Sequence, residues 1–183
     1  SAGLKGIRIR TPGTLVPDTT HQVIFDNVRV PPYSLLGEEA EGWSLIQTLL
    51  LPQWSTDYPP NHDQHVTDLI QYAQDTLHSG MALSREPFLQ QLLMEAYVTS
   101  QITRLFRTRN AWLATTGQQL TYHMAQTTLW EKQAALRLSQ ITREIMGIYA
   151  LLDHRDPKSF LGGKFEREQR RSLTVQNPTG SSE

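Results

Sequence analysis

The sequence predicts a mainly α fold, an antiparallel up-and-down helical bundle with a small N-terminal β-strand remnant. Three observations carry this. Apolar residues recur at helical spacing from Phe88 to Leu113 and again from Tyr122 to Leu152. The two runs are joined by a turn of few residues around Gly117, so helices this long should lie antiparallel. Residues of the β-forming type concentrate before Pro31-Pro32, and the chain beyond that pair reads as helix.

The elements are taken in order. Leu4, Ile7 and Ile9 read as a short strand within residues 1–10, and Thr11-Pro12-Gly13 and Pro17-Asp18 punctuate a turn region. A second strand covers residues 21–30, with Asn27 breaking the alternation as a bulge or bend. Two strands do not make an independently stable sheet, so they must pack on something else. Residues 1–36 are therefore assigned to the end of a β-domain and residues 37–183 to the helical bundle.

Leu45, Ile46, Leu49, Leu50 and Leu51 form an apolar face over residues 42–54, with a kink or stop near Leu51 imposed by Pro52. The proline-rich stretch 57–61 is a break. A second helix is expected over residues 63–79, with Val66, Leu69, Ile70, Ala73 and Leu77 facing inward and Gly80 as its terminator. Ser84 is the expected N-cap of the long helix that ends at Gly117. The fourth helix is expected over residues 120–152, with Gly147 interrupting its last turns. Residues 164–173 form a charged helical segment, and residues 175–183 read as loop.

Bulk properties exclude several function classes. The 183 residues fit one domain, or one domain with an appendage, and can bury a real core. A net charge of −1 argues against binding to nucleic acid or a membrane surface by net charge alone. The absence of cysteine excludes disulfides, thiolate zinc sites and a cysteine nucleophile. No apolar run reaches the roughly 18 residues that a membrane span needs, so the expected location is cytoplasmic.

The hinge at residues 21–43 also carries a family resemblance. FDNVRVP, a polar spacer, LLGEE and then Gly42-Trp43 resemble the signature that closes the middle β-domain of acyl-CoA dehydrogenases and opens their C-terminal helical domain. The final TVQNPTGSSE resembles the C-terminal active-site loop of that family. The resemblance spans almost the whole chain and implies the C-terminal part of a longer FAD-dependent oxidoreductase. In that family a carboxylate base removes the α-proton of an acyl-CoA while flavin accepts the β-hydride. A carbonyl-α C–H is a weak acid, so such a base must be close and desolvated.

The resemblance places the usual glutamate base at Thr179, before Gly180, and the base of a minority of the family at Gln53, followed by Trp54 where an arginine is usual. Neither threonine nor glutamine can accept the proton, so both positions are vacant. Asp57 is the nearest carboxylate to the second position and is not assigned the role. By the same resemblance Gly80, Gly147, Gly180, Ser181, Ser182 and Glu183 are the candidate FAD contacts. Departures accompany them. In YAQDTLHSG, Thr76 and Leu77 stand where an arginine pairs with the FAD pyrophosphate, and Ser79 replaces a phenylalanine. The Gln–x–x–Gly–Gly motif appears as Glu144-Ile-Met-Gly147-Ile148, a form that resembles a branch with paired, unequal subunits. The resemblance thus implies a homo- or hetero-oligomer, dimer or tetramer, whose fragment alone self-associates, retains no FAD and is inactive. The alternatives are a catalytically vacant partner subunit and a cofactor-free oligomerisation module.

Plainer readings stand beside these. Gly80 and Gly147 can be helix punctuation, and Arg104, Arg107 and Arg109 a solvated or ion-paired face. His62, Asp63 and His65 have metal-like spacing without a third and fourth ligand, and His154 beside Asp153 and Asp156 is a weaker case, so no metal site is assigned. The four tryptophans read as core and interface anchors.

Overall fold

The computed structural model describes residues 5–13, 21–38, 40–50 and 61–174. The chain divides into two compact units, Ser1–Gln53 and Trp54–Glu183.

In the first unit, β1 (Ile7–Arg10) pairs antiparallel with β2 (Gln22–Phe25), in a register that sets Ile7 against Phe25 and Arg10 against Gln22. The second strand is shorter than expected. It ends where the Asp26 N–H bonds the Gly6 carbonyl at 2.9 Å and Asn27 turns to a φ of 49°, a conformation asparagine tolerates better than most residues. Pro32 then opens a single 3₁₀ turn, and helix α1 (Gly42–Leu50) comes after it. Ile9, Val23 and Phe25 are exposed.

The second unit is the bundle. Its helices are α2 (Asn61–Asp75), α3 (Pro87–Thr115), α4 (His123–Met146) and α5 (Lys164–Thr174). The core is a stripe from each: Val66, Leu69 and Ala73 of α2, Leu89, Leu92 and Ala96 of α3, Leu138, Ile141 and Ile145 of α4, and Phe165 of α5. The stripes of α2, α3 and α4 are the i, i+3, i+4 faces the periodicity specified, whereas Phe165 lies in a segment the sequence marked only as charged. The fold class is thus an antiparallel helical bundle with a small β remnant, as the sequence predicts.

Three boundaries differ from expectation. The second helix stops at Asp75, and Leu77-His78 and Met81-Ala82 form a miniature hairpin, β3 and β4. Ser79 and Gly80 both take positive φ, 52° and 83°, the signature of a two-residue turn whose twist suits a hairpin. Leu77 is therefore exposed instead of inward-facing. Ser84 does not cap α3. It lies in a 3₁₀ turn and lends only its carbonyl to Gln90, while Pro87 sits at the start of the helix and makes Glu86 the capping position. Helix α4 ends at Met146, because Gly147 adopts φ 58°, ψ −135°, which a residue with a side chain rarely takes; Gly147–Leu151 continues as 3₁₀ helix. Among the described residues no helix is long and apolar enough to cross a membrane.

Candidate functional site

Helices α2 and α4 run parallel, each antiparallel to α3, so the hairpin after α2 and the turn after α4 come to the same end of the bundle. Tyr72, in the last turn of α2, ties this end together. Its ring meets Phe160 edge-on at 5.3 Å, Phe160 stacks on Phe165 at 5.9 Å, and burial pushes its hydroxyl pKa up, against a hydrogen bond with Thr76 and with Tyr149 nearby. The candidate glycines Gly80 and Gly147 thus sit in two turns at one end. Gln53, Thr179, Gly180, Ser181, Ser182 and Glu183 lie outside the described residues.

Below this end lies a polar cluster that sequence reasoning did not assemble. Thr142 donates its hydroxyl to the Leu138 carbonyl at 2.7 Å, so its oxygen accepts from His65 Nε2 at 2.8 Å. The other ring nitrogen of His65 bonds Glu168. Lys164 bonds Asp68 and lies 3.8 Å from Glu168. The cluster pins α5 onto α2 and α4 and fills the hydrogen-bonding capacity of His65, which is 7% exposed. His62 turns instead to Thr103, at 3.4 Å, and burial holds its pKa below the usual histidine value. The histidine spacing therefore serves two separate hydrogen bonds, and no group of three or more metal-type side chains forms among the described residues.

Four of the bundle's carboxylates lie in ion pairs. Glu95 takes a two-pronged bond from Arg137, at 2.5 and 2.7 Å, and that bond holds its pKa below the usual range. Glu131 pairs with Arg107, Glu144 lies 3.6 Å from Arg137, and Glu166 pairs with Arg170. A carboxylate held ionised by a cation at contact distance, as Glu95 is by Arg137, is a poor general base, because the cation opposes its protonation.

No family model matches the chain, and no curated protein matches it. Solved structures do. A chain of the ChsE4–ChsE5 complex from Mycobacterium tuberculosis superposes on 99% of this chain with TM-score 0.83, 20% identity and 48% of its own length covered. The steroid ACAD Tcur3481–Tcur3483 covers 99% at TM-score 0.85, with 17% identity and 46% of that chain. Acyl-CoA dehydrogenase from Geobacillus kaustophilus covers 98% at TM-score 0.78, with 19% identity and 47% of that chain. The chain has the fold of the acyl-CoA dehydrogenase C-terminal helical domain. It spans about half the length of the solved chains it matches.

Within an acyl-CoA dehydrogenase fold the two glycine turns can be tested against a flavin dinucleotide. A Cβ added at Gly80 or Gly147 would meet nothing within 4 Å, so each turn leaves open space in front of its backbone. The side chains around them are mixed in their suitability for a pyrophosphate. Leu77, before Gly80, is 68% exposed, and Ile148, after Gly147, is 74% exposed, so both present apolar surface. Arg143, exposed in the last turn of α4, is a cation before Gly147, and Glu144 beside it lies 3.6 Å from Arg137. A dianionic ligand wants aligned donors and cations. Apart from Arg143 the described residues named at these two turns offer such a ligand little, and the backbone conformation accounts for both glycines without a ligand.

Proposed function

We propose that this chain contributes the C-terminal helical domain of an acyl-CoA dehydrogenase-type flavoprotein oxidoreductase and acts there as a partner subunit in a hetero-oligomer. The observation that carries the reading is the match over essentially the whole chain to solved acyl-CoA dehydrogenase structures, two of them named for a pair of chains. Two features support the partner role. The resemblance puts Gln53 and Thr179 at the base positions, and Leu77 and Ile148 present exposed apolar surface at the Gly80 and Gly147 turns. On this reading acyl-CoA and FAD are held mainly by the partnered chain, which supplies the carboxylate, and the complex works in the cytoplasm.

The test is to purify the chain alone and after co-expression with a base-bearing acyl-CoA dehydrogenase chain. Flavin absorbance and acyl-CoA-dependent dye reduction are then measured. The expected result is a colourless, inactive chain alone, with flavin and activity in the mixed complex. A yellow, active chain by itself would overturn the partner role. The apolar surface at the two turns favours one further reading, a cofactor-free oligomerisation module. That reading gains if no mixed complex takes up flavin.

A further inference from the structure

Helix α5 is held in the bundle differently from the other helices. Helices α2, α3 and α4 each bury three or more apolar side chains in the core, whereas α5 buries Phe165 and the polar Ser172. Its other apolar residue, Leu173, is 59% exposed. Charged groups add to this slight apolar hold. Lys164 bonds Asp68 and Glu168 bonds His65, both on α2, and the Phe165 ring meets the same histidine edge-on at 5.0 Å. A helix of 11 residues is marginal by itself in water, so α5 depends on contacts of this kind to exist.

The residues before α5 form a pivot. Leu161, Gly162 and Gly163 all take left-handed φ, 49°, 59° and 71°. Leucine adopts this conformation at a cost, because its Cβ crowds the carbonyl that follows. A Cβ added at Gly163 would stand 2.6 Å from the His154 nitrogen and 2.7 Å from the Asp153 carbonyl carbon. This glycine is therefore seated on the backbone of the preceding turn, and a side chain there would lift the start of α5 from its place. Arg167 donates to the Gly162 carbonyl at 2.5 Å and closes the pivot onto the helix.

A unit with few buried apolar contacts opens at a lower free energy than the core beside it. We infer that α5 is a latch. It leaves the bundle as one unit about residues 161–163 while α2, α3 and α4 stay packed, and the Lys164–Asp68 and Glu168–His65 bonds set how often it opens. The latch goes beyond the proposed function and does not depend on it. Residues 175–183 follow α5 in the sequence, so opening displaces their point of attachment at Thr174.

The test is amide hydrogen exchange of the full chain, followed residue by residue by NMR. Amides of residues 168–173 should share one opening constant, at least about tenfold larger than that of Leu138 and Ile141 in α4. Low denaturant should raise the α4 constant steeply and the α5 constant little, because opening the latch exposes little surface. Lys164→Met and Gly163→Ala should each enlarge the α5 constant about tenfold. Leu113→Ala, at the far end of α3, should speed exchange at Leu138 and Ile141 and leave residues 168–173 within about twofold of the parent. Equal constants in α5 and α4, or an equal response of both to Leu113→Ala, would make α5 part of one cooperative unit and overturn the latch. So would α5 exchange that neither α5 variant changes, or a gradient rising from residue 168 to 173, which is fraying. Flavin uptake by the mixed complex reports separately on the proposed function, and neither result decides the other.

Discussion

The two halves of α3 are stabilised in different ways. Its N-terminal half is the wall of a three-helix core, with Leu89, Leu92 and Ala96 buried against apolar stripes of α2 and α4. Its C-terminal half extends past the start of α2 and packs chiefly along α4, where the buried side chains are largely polar. Asn110 donates to the Thr127 hydroxyl at 2.8 Å, and Arg107 pairs with Glu131. Where three helices converge, there is enough apolar area to dominate. Where two meet, hydrogen bonds supply specificity that a thin apolar seam cannot.

The largest expected effect is a cavity in the three-helix half. Leu138 is 1% exposed, and Leu138→Ala should cost about 2–5 kcal/mol in urea unfolding, since the surrounding helices cannot close on the space. Leu113→Ala, in the two-helix half, should cost clearly less, because water can enter. Equal losses would mean that the C-terminal half is covered as tightly as the N-terminal one.

Next is the polar cluster that fastens α5. His65→Leu removes the donor to Thr142 and the partner of Glu168, and should cost about 1–3 kcal/mol as groups are left unsatisfied. Proteolysis should then cut near α5 before it cuts in α3. Uniform susceptibility would show that the cluster does not hold α5 selectively. In the two-helix half Asn110→Ala should cost about 1 kcal/mol, read by the same denaturation, and Asn110→Leu should recover part of it through apolar area. A larger loss for leucine than for alanine would deny that this half accepts apolar substitution.

Much of this architecture was legible because helical periodicity persists through α3 and α4. The misleading signals are equally specific. Leu77 continues the spacing of Val66, Leu69, Ile70 and Ala73, so the pattern alone extends α2 past its true end. The competing signal was the Ser79-Gly80 pair between Leu77-His78 and Met81-Ala82, a turn dipeptide that wins once both residues take positive φ. Ser84 had the right chemistry for a cap, yet a proline at the helix start fixes which residue precedes it. The His65–Glu168 contact joins residues 103 apart, and no local spacing announces it. The candidate glycines were legible as breaks in the pattern. The apolar neighbours of the two glycines were legible too, in Leu77 and Ile148, and their exposure turns that reading into a physical one.

The smallest effect tests the boundary between the halves. His62 and Trp130 both address the Thr103 hydroxyl, Trp130 at 3.0 Å, at the level where α2 begins. Burial lowers the His62 pKa in the folded state, with Glu131 opposing the shift and His65 and Arg107 adding to it. The unfolded chain therefore binds the proton more readily than the folded one. Stability contributed by neutral His62 is fully present above the unfolded value, about 6.5, and is lost as pH falls from there toward the folded value. Denaturant unfolding at pH 7.5 and 5.5 should thus show a lower midpoint at the acid value. In His62→Gln, which keeps a donor toward Thr103 and carries no titratable proton, that part of the decrease should vanish. An identical acid decrease in the variant would move the sensitivity to other groups and remove His62 as the pH-sensitive joint between the apolar and polar halves of α3.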